Sequence, residues 1–195
     1  MSEILRPGSD ILFMKVGTHA NETLEDIVAR KRREIDVAGY ALWGYGGNTC
    51  HPLTMVQPFA RAAEEAGSPI HLCMEPMDSR HFAVSARAEE FSVDGFDWQE
   101  VPASIDVIGS RFALAIEELH TEHFELPLAR TEVAIGNQTG RRGNEYVRGR
   151  VDKACLKYLG EEPEGPEEEE KTIEIGLVAR LRDPYAVFVR NEQDS

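Results

Sequence analysis

Apolar residues run almost without a break from Ile11 to Val16 and stop at Gly17, the pattern of a strand covered on both faces. After Thr18, His19 and Ala20 the period lengthens. Leu24, Ile27, Val28 and Ile35 recur on one helical face, Asn21 suits the N-cap, Glu22, Glu25 and Asp26 crowd the first turns, and Gly39 closes the helix. Tyr40 to Trp43 predicts a second strand. Leu53, Val56, Phe59, Ala60 and Ala63 predict a second helix ending at Gly67, with Pro58 as either an interior kink or the true first turn. Ile70 to Met74 predicts a third strand. Residues 11–75 thus alternate strand and helix, which predicts a parallel βαβαβ start with right-handed crossovers.

Further along, strand-like runs at Phe82–Val84, Trp98–Val101, Ile105–Ile108, Phe112–Ile116 and Val133–Ile135 predict antiparallel additions to that sheet. Gly136 to Gly140 is turn chemistry, and Tyr146 to Leu159 reads as helical despite Gly149. Thr172–Val178 and Tyr185–Val189 predict a C-terminal hairpin turning at Asp183-Pro184. The expected class is α/β of mixed α+β character: a single domain over 1–160, an acidic flexible loop over 161–170, and a strand pair over 171–195 packed on the same domain. No fixed-period repeat points to a solenoid or propeller.

Composition adds exclusions. No stretch approaches the roughly 20 apolar residues that cross a bilayer, so no membrane association is expected. The Met1–Gly8 segment has neither an apolar signal core nor an Arg-rich transit pattern, which predicts a cytoplasmic protein. Cys50, Cys73 and Cys155 lie far apart, as reduced thiols do. Formal net charge is −14, which opposes general nucleic-acid binding. The stretch 161–170 holds seven acids and no base, half of that excess, and its like charges and prolines predict a solvated loop. Arg30 to Arg33 near the first helix's end read as solvated cations that complement its dipole. Residues 141–157 carry Arg141, Arg142, Arg148, Arg150, Lys153 and Lys157 against Glu145 and Asp152, a local balance of +4, where a small anionic ligand can be held. The acidic surface alternatively suits a basic protein partner, such as a nucleic-acid-related enzyme that it binds or inhibits.

The densest candidate chemistry follows the second strand: Trp43, Gly44, Tyr45, Gly46, Gly47, Asn48, Thr49, Cys50 and His51. Glycines at a strand-to-helix turn admit a ligand close to the backbone, and the helix start offers free N–H groups to phosphate or carboxylate. The spacing matches neither a P-loop nor a dinucleotide fingerprint. In this reading Asn48 and Thr49 donate to the anion, Trp43 or Tyr45 stacks on a planar ring, and Arg141 and Arg142 neutralise charge. His19, Cys50, His51 and Glu75 are the candidate catalytic groups, with hydrolysis or group transfer as the reaction. A Cys-His pair with Glu75 as orienter is one arrangement of them; a base or single-stranded end at Trp43 is a third reading of the aromatics. No CxxC, HExxH or HxH pair is present, so no metal centre is expected, and no cofactor is indicated.

Overall fold

The computed structural model describes residues 3–46, 53–80, 86–147, 151–160 and 171–191. Gly47 to His51, the predicted strand at Phe82–Val84 and the acidic run 161–170 lie outside them. The described chain forms one nine-stranded sheet of mixed parallel and antiparallel pairing with three short α-helices. β1 (Asp10–Thr18) leads to α1 (Leu24–Ala38), β2 (Ala41–Gly44), α2 (Leu53–Glu65) and β3 (His71–Arg80). There follow β4 (Glu90–Ser92), β5 (Gln99–Glu100), β6 (Phe112–Pro127), β7 (Thr131–Val133), α3 (Gly143–Tyr146), β8 (Lys153–Tyr158) and β9 (Thr172–Arg190). The main path of the sheet is β2-β6-β9-β3-β1-β8-β7, with β4 on β9 and β5 on β4.

The continuous apolar run of β1 divides by alternation between two cores. Leu12, Met14 and Val16 join Ile27 and Val28 of α1 and the α2 stripe Leu53, Val56, Phe59, Ala60 and Ala63. Ile11 and Phe13 face the other way, onto Ile4, Leu5, Leu126, Leu128 and Val147. A strand buried on both faces needs this period-2 division, which is why its sequence shows no amphipathic pattern. A third cluster packs Leu42, Ala113, Ala115 and Val187 against Val101, Ile105 and Val107.

Of the three strands predicted to lie parallel, β1 and β3 pair so, in register Ile11 with His71 through Val16 with Pro76. β2 instead pairs antiparallel with β6, Ala41 opposite Ile116. Four residues give β2 few bonds to contribute, and the long β6 supplies all of them. The predicted hairpin is also corrected. β9 runs unbroken from Thr172 to Arg190, through the cis Asp183-Pro184 peptide. Arg182 to Tyr185 lie opposite the single residue Ala115, between Leu181, opposite Ile116, and Ala186, opposite Leu114. Tyr185 takes φ 69°, so the turn-like sequence makes a bulge that bends the strand rather than reverses it.

The helix predicted over Tyr146–Leu159 is replaced by the four-residue α3 and by β8, which pairs antiparallel with β1 and β7. Ala154, Leu156 and Tyr158 fill one core and Cys155 the other, an alternation that covers the open side of β1. The first helix begins later than predicted: Thr23, not Asn21, is the N-cap, its Oγ1 accepting from Asp26 N at 3.2 Å. Asn21 lies in a turn at φ 63°. Pro58 is interior to α2. Ile105–Ile108 forms only an isolated bridge, Arg87 with Ile108.

Candidate functional site

A cavity of about 360 Å³ lies between two parts of the bent sheet. One wall is the end of β1, Met14 to His19, with Asp152 and Lys153 at the start of β8. The facing wall is the end of β2, Trp43 and Gly44, continuing to Gly46, with Ser110 just ahead of β6. α1 supplies Ile27, Arg30 and Lys31, and the loop Asp106–Ile108 completes the rim. The size falls in the range of small-molecule sites, which are mostly apolar with a few polar groups.

Local sequence explains how these residues are held. Alternation along β8 puts Lys153 on the same face as Cys155, opposite Met14 of β1. Lys153 is 5% exposed, its Nζ 3.2 Å from Asp152 Oδ2 and 5.2 Å from the centre of the Tyr45 ring. Both contacts suit an ammonium. Gly44 carries no side chain where it meets Ser110: a Cβ there would lie 2.6 Å from the Ser110 Oγ. A Cβ at Gly46 would meet nothing within 4 Å, so the backbone there opens onto free space.

The α1 wall is an ion network. Arg30 holds Glu22 through two bonds, Nη2 to Oε1 at 2.7 Å and Nε to Oε2 at 3.2 Å. Lys31 Nζ donates to Glu34 Oε2 at 2.9 Å and to the Asp106 carbonyl at 2.5 Å, while Arg30 Nη1 reaches the same carbonyl at 2.8 Å. Glu34 Oε1 accepts from Asp106 N at 3.0 Å. Burial pushes the Lys31 ammonium down to about 8, against the pull of Glu34. The bases expected to be solvated thus include a nearly buried lysine: α1 continues to Ala38, so Arg30 and Lys31 lie mid-helix and fasten the 106–108 loop over the cavity. His19 joins this fastening, its Nε2 3.1 Å from the Ile108 carbonyl, which makes that nitrogen the protonated one.

The residues picked out from sequence are only partly brought together. His19, Trp43, Gly44 and Gly46 border the cavity. Tyr45 does not: it is 1% exposed, packed in the core beneath Lys153. Trp43 is itself 5% exposed and contributes wall rather than an open stacking face. Glu75 pairs with Lys15 in the β1–β3 ladder and shares its face with Cys73, opposite the face that holds Met14 and the cavity. Arg141 and Arg142 lie beyond β7, where Arg142 bridges to Glu132 and Arg141 bonds Gln138 and Glu145. Neither borders the cavity. Gly47, Asn48, Thr49, Cys50 and His51 fall outside the described residues. Among those residues no group of three His, Cys, Asp or Glu side chains could hold a metal ion.

Lys153, Lys31 and Asp106 are among the cavity residues that sequence reasoning did not select as a site, whereas Ser110, with Arg111, stands out after a predicted strand as a candidate anion clamp. A signal for Lys153 existed, since it sits in the basic stretch 141–157, but reading that stretch as a helix hid which face it occupies. Nothing local marks Asp106, which reaches the site across 75 residues from Lys31. No family model, curated protein or solved structure matches the chain.

Proposed function

We propose that the protein binds a small anionic, nucleotide-like ligand in the cavity between the β1/β8 and β2/β6 walls. The observation that carries this reading is Lys153: a nearly buried ammonium on a 360 Å³ cavity whose wall combines the apolar Met14, Val16, Ile27 and Trp43 with the α1 ion network. Arg30 and Lys31 are occupied by Glu22, Glu34 and the Asp106 carbonyl, whereas among the described residues Lys153 has the half-exposed Asp152 as its one ion partner. An acceptor group of the anionic ligand competes with Asp152 for Lys153, its planar part packs on the apolar side of the wall, and Ser110 and the Gly46 backbone supply hydrogen bonds. His19 borders the same cavity, so hydrolysis or group transfer on the bound ligand is the reaction class to assay.

Titration calorimetry with the four ribonucleoside 5′-monophosphates tests this. At least one binds, and Lys153→Met weakens it by about 1.5–3 kcal/mol, the usual worth of a hydrogen bond to a charged group. Wild-type protein that takes up none of the four contradicts the reading.

A second reading, a basic protein partner, draws on the β6–β9 ribbon. Glu118, Glu125 and Glu174 are exposed there, and β9, which carries Glu174, begins just after the acidic run 161–170. Such binding weakens steeply with salt and slows when 161–170 is deleted; salt-insensitive association counts against it.

A further inference from the structure

We infer that Arg111 and Arg190 form a second anion subsite, reached from the main cavity past Ser110, so that the ligand is a phosphorylated one with its ring in the main cavity and its phosphate on the two arginines. This rests on the nucleotide-like reading above.

Ser110 borders both the main cavity and a smaller one of about 190 Å³ that is lined by Arg111 and Arg190. Chain geometry brings the two together. Tyr45 N donates to the Phe112 carbonyl at 2.8 Å on one side of the 109–112 segment, and Val189 N donates to the Arg111 carbonyl at 2.9 Å on the other. The segment therefore lies between the end of β2, which walls the main cavity, and the end of β9, which carries Arg190. At Gly44 a side chain would strike Ser110, so glycine there lets Ser110 sit against the end of β2, on the border of both cavities.

The two arginines differ in how they are held. Arg190 is fixed: its Nε donates to Glu90 Oε2 at 2.7 Å and its guanidinium lies 3.9 Å from the centre of the Trp98 ring. Stacking on an indole holds the guanidinium plane while its Nη groups keep their donors. The Glu90 pair cancels its charge locally, so Arg111 supplies the excess. Arg111 is exposed, and among the described residues its guanidinium makes no hydrogen bond or ion pair. One stacked fork and one free fork on the same small cavity match the several acceptor oxygens of a phosphate. Lys153 then meets the polar edge of the ring or sugar rather than the phosphate itself.

The test uses two probes. Inorganic phosphate is titrated while the Trp98 indole N–H resonance is followed, and each ribonucleoside is compared with its 5′-monophosphate by calorimetry. The inference predicts a saturable Trp98 shift with phosphate, lost in Arg111→Ala and kept in part in Arg111→Lys. It also predicts that the monophosphate binds about tenfold to a hundredfold tighter than the nucleoside in wild type, and that this ratio collapses toward one in Arg111→Ala. No Trp98 response to phosphate, or a ratio untouched by Arg111→Ala, overturns the inference even where nucleosides bind. A phosphate response at Trp98 without binding of any nucleoside leaves the subsite standing and removes the main-cavity reading instead.

Discussion

Single residues carry the energetic stakes of this site. Glu34 is 2% exposed and holds Lys31, Arg30 and the Asp106 amide at once. Removing one partner of a buried ion cluster leaves an uncompensated charge, so Glu34→Ala should cost about 3–5 kcal/mol by chemical denaturation. A loss under 1 kcal/mol would show that solvent reaches Lys31 freely. Glu75 is the opposite case. Its Oε2 is buried with no bonding partner among the described residues, and burial raises its carboxyl above the ordinary value despite Lys15 and Lys171. Between the ordinary value and the raised one the folded state binds more protons than the unfolded, so stability falls as pH rises through that window. Glu75→Gln should remove this fall and be at least as stable as wild type at pH 7. A variant whose stability curve keeps the wild-type slope would assign the slope to other groups.

Among elements, α3 and its approach depend on one glycine. A Cβ at Gly143 would lie 2.8 Å from the Leu128 carbonyl oxygen and would also overlap Thr131. Backbone on one side cannot step aside as a side chain can. Gly143→Ala should therefore lower stability by about 1–3 kcal/mol, the cost of overpacking; an unchanged melting temperature would mean that the β7–α3 corner is loosely packed. The same elements show what sequence periodicity resolves. α1 and α2 were legible because their apolar stripes have helical spacing and one side, and Gly39 stands at φ 82° as the C-cap. β1 was legible as a doubly covered strand. β8 was not: Ala154, Cys155 and Leu156 are small or apolar at successive positions, compatible with either period, and only the open side of β1 decides between them. Asp183-Pro184 reads as a turn locally, yet β6 pairs with β9 on both sides of it, and long-range pairing wins. The partner of β2 had no local signal at all.

At the scale of the whole molecule, the cavity collects residues from α1, from β1, β2 and β8, and from connecting segments. Its trace in the sequence was accordingly uneven. Trp43, Gly44, Gly46 and His19 stood out as unusual residue types after strands, while Lys153 and Asp106 gained meaning only once β8 and the 106–108 loop were placed. The three cores also put two cysteines out of reach: Cys73 and Cys155 are fully buried thiols outside any disulfide, and burial pushes both well above the ordinary cysteine value. Neither should react with a thiol reagent until the protein unfolds; rapid labelling of Cys73 or Cys155 in the native state, read by peptide mass, would contradict the packing described.

The most direct test of the proposed ligand reading uses the protein's two tryptophans. Trp43 borders the main cavity and Trp98 lies under Arg190, so their indole N–H resonances report the two ends of the site separately. Titrating a ribonucleoside 5′-monophosphate should move the Trp43 resonance saturably, with the movement weakened in Lys153→Met. A Trp43 resonance that stays in place at saturating monophosphate would contradict a ligand in this cavity.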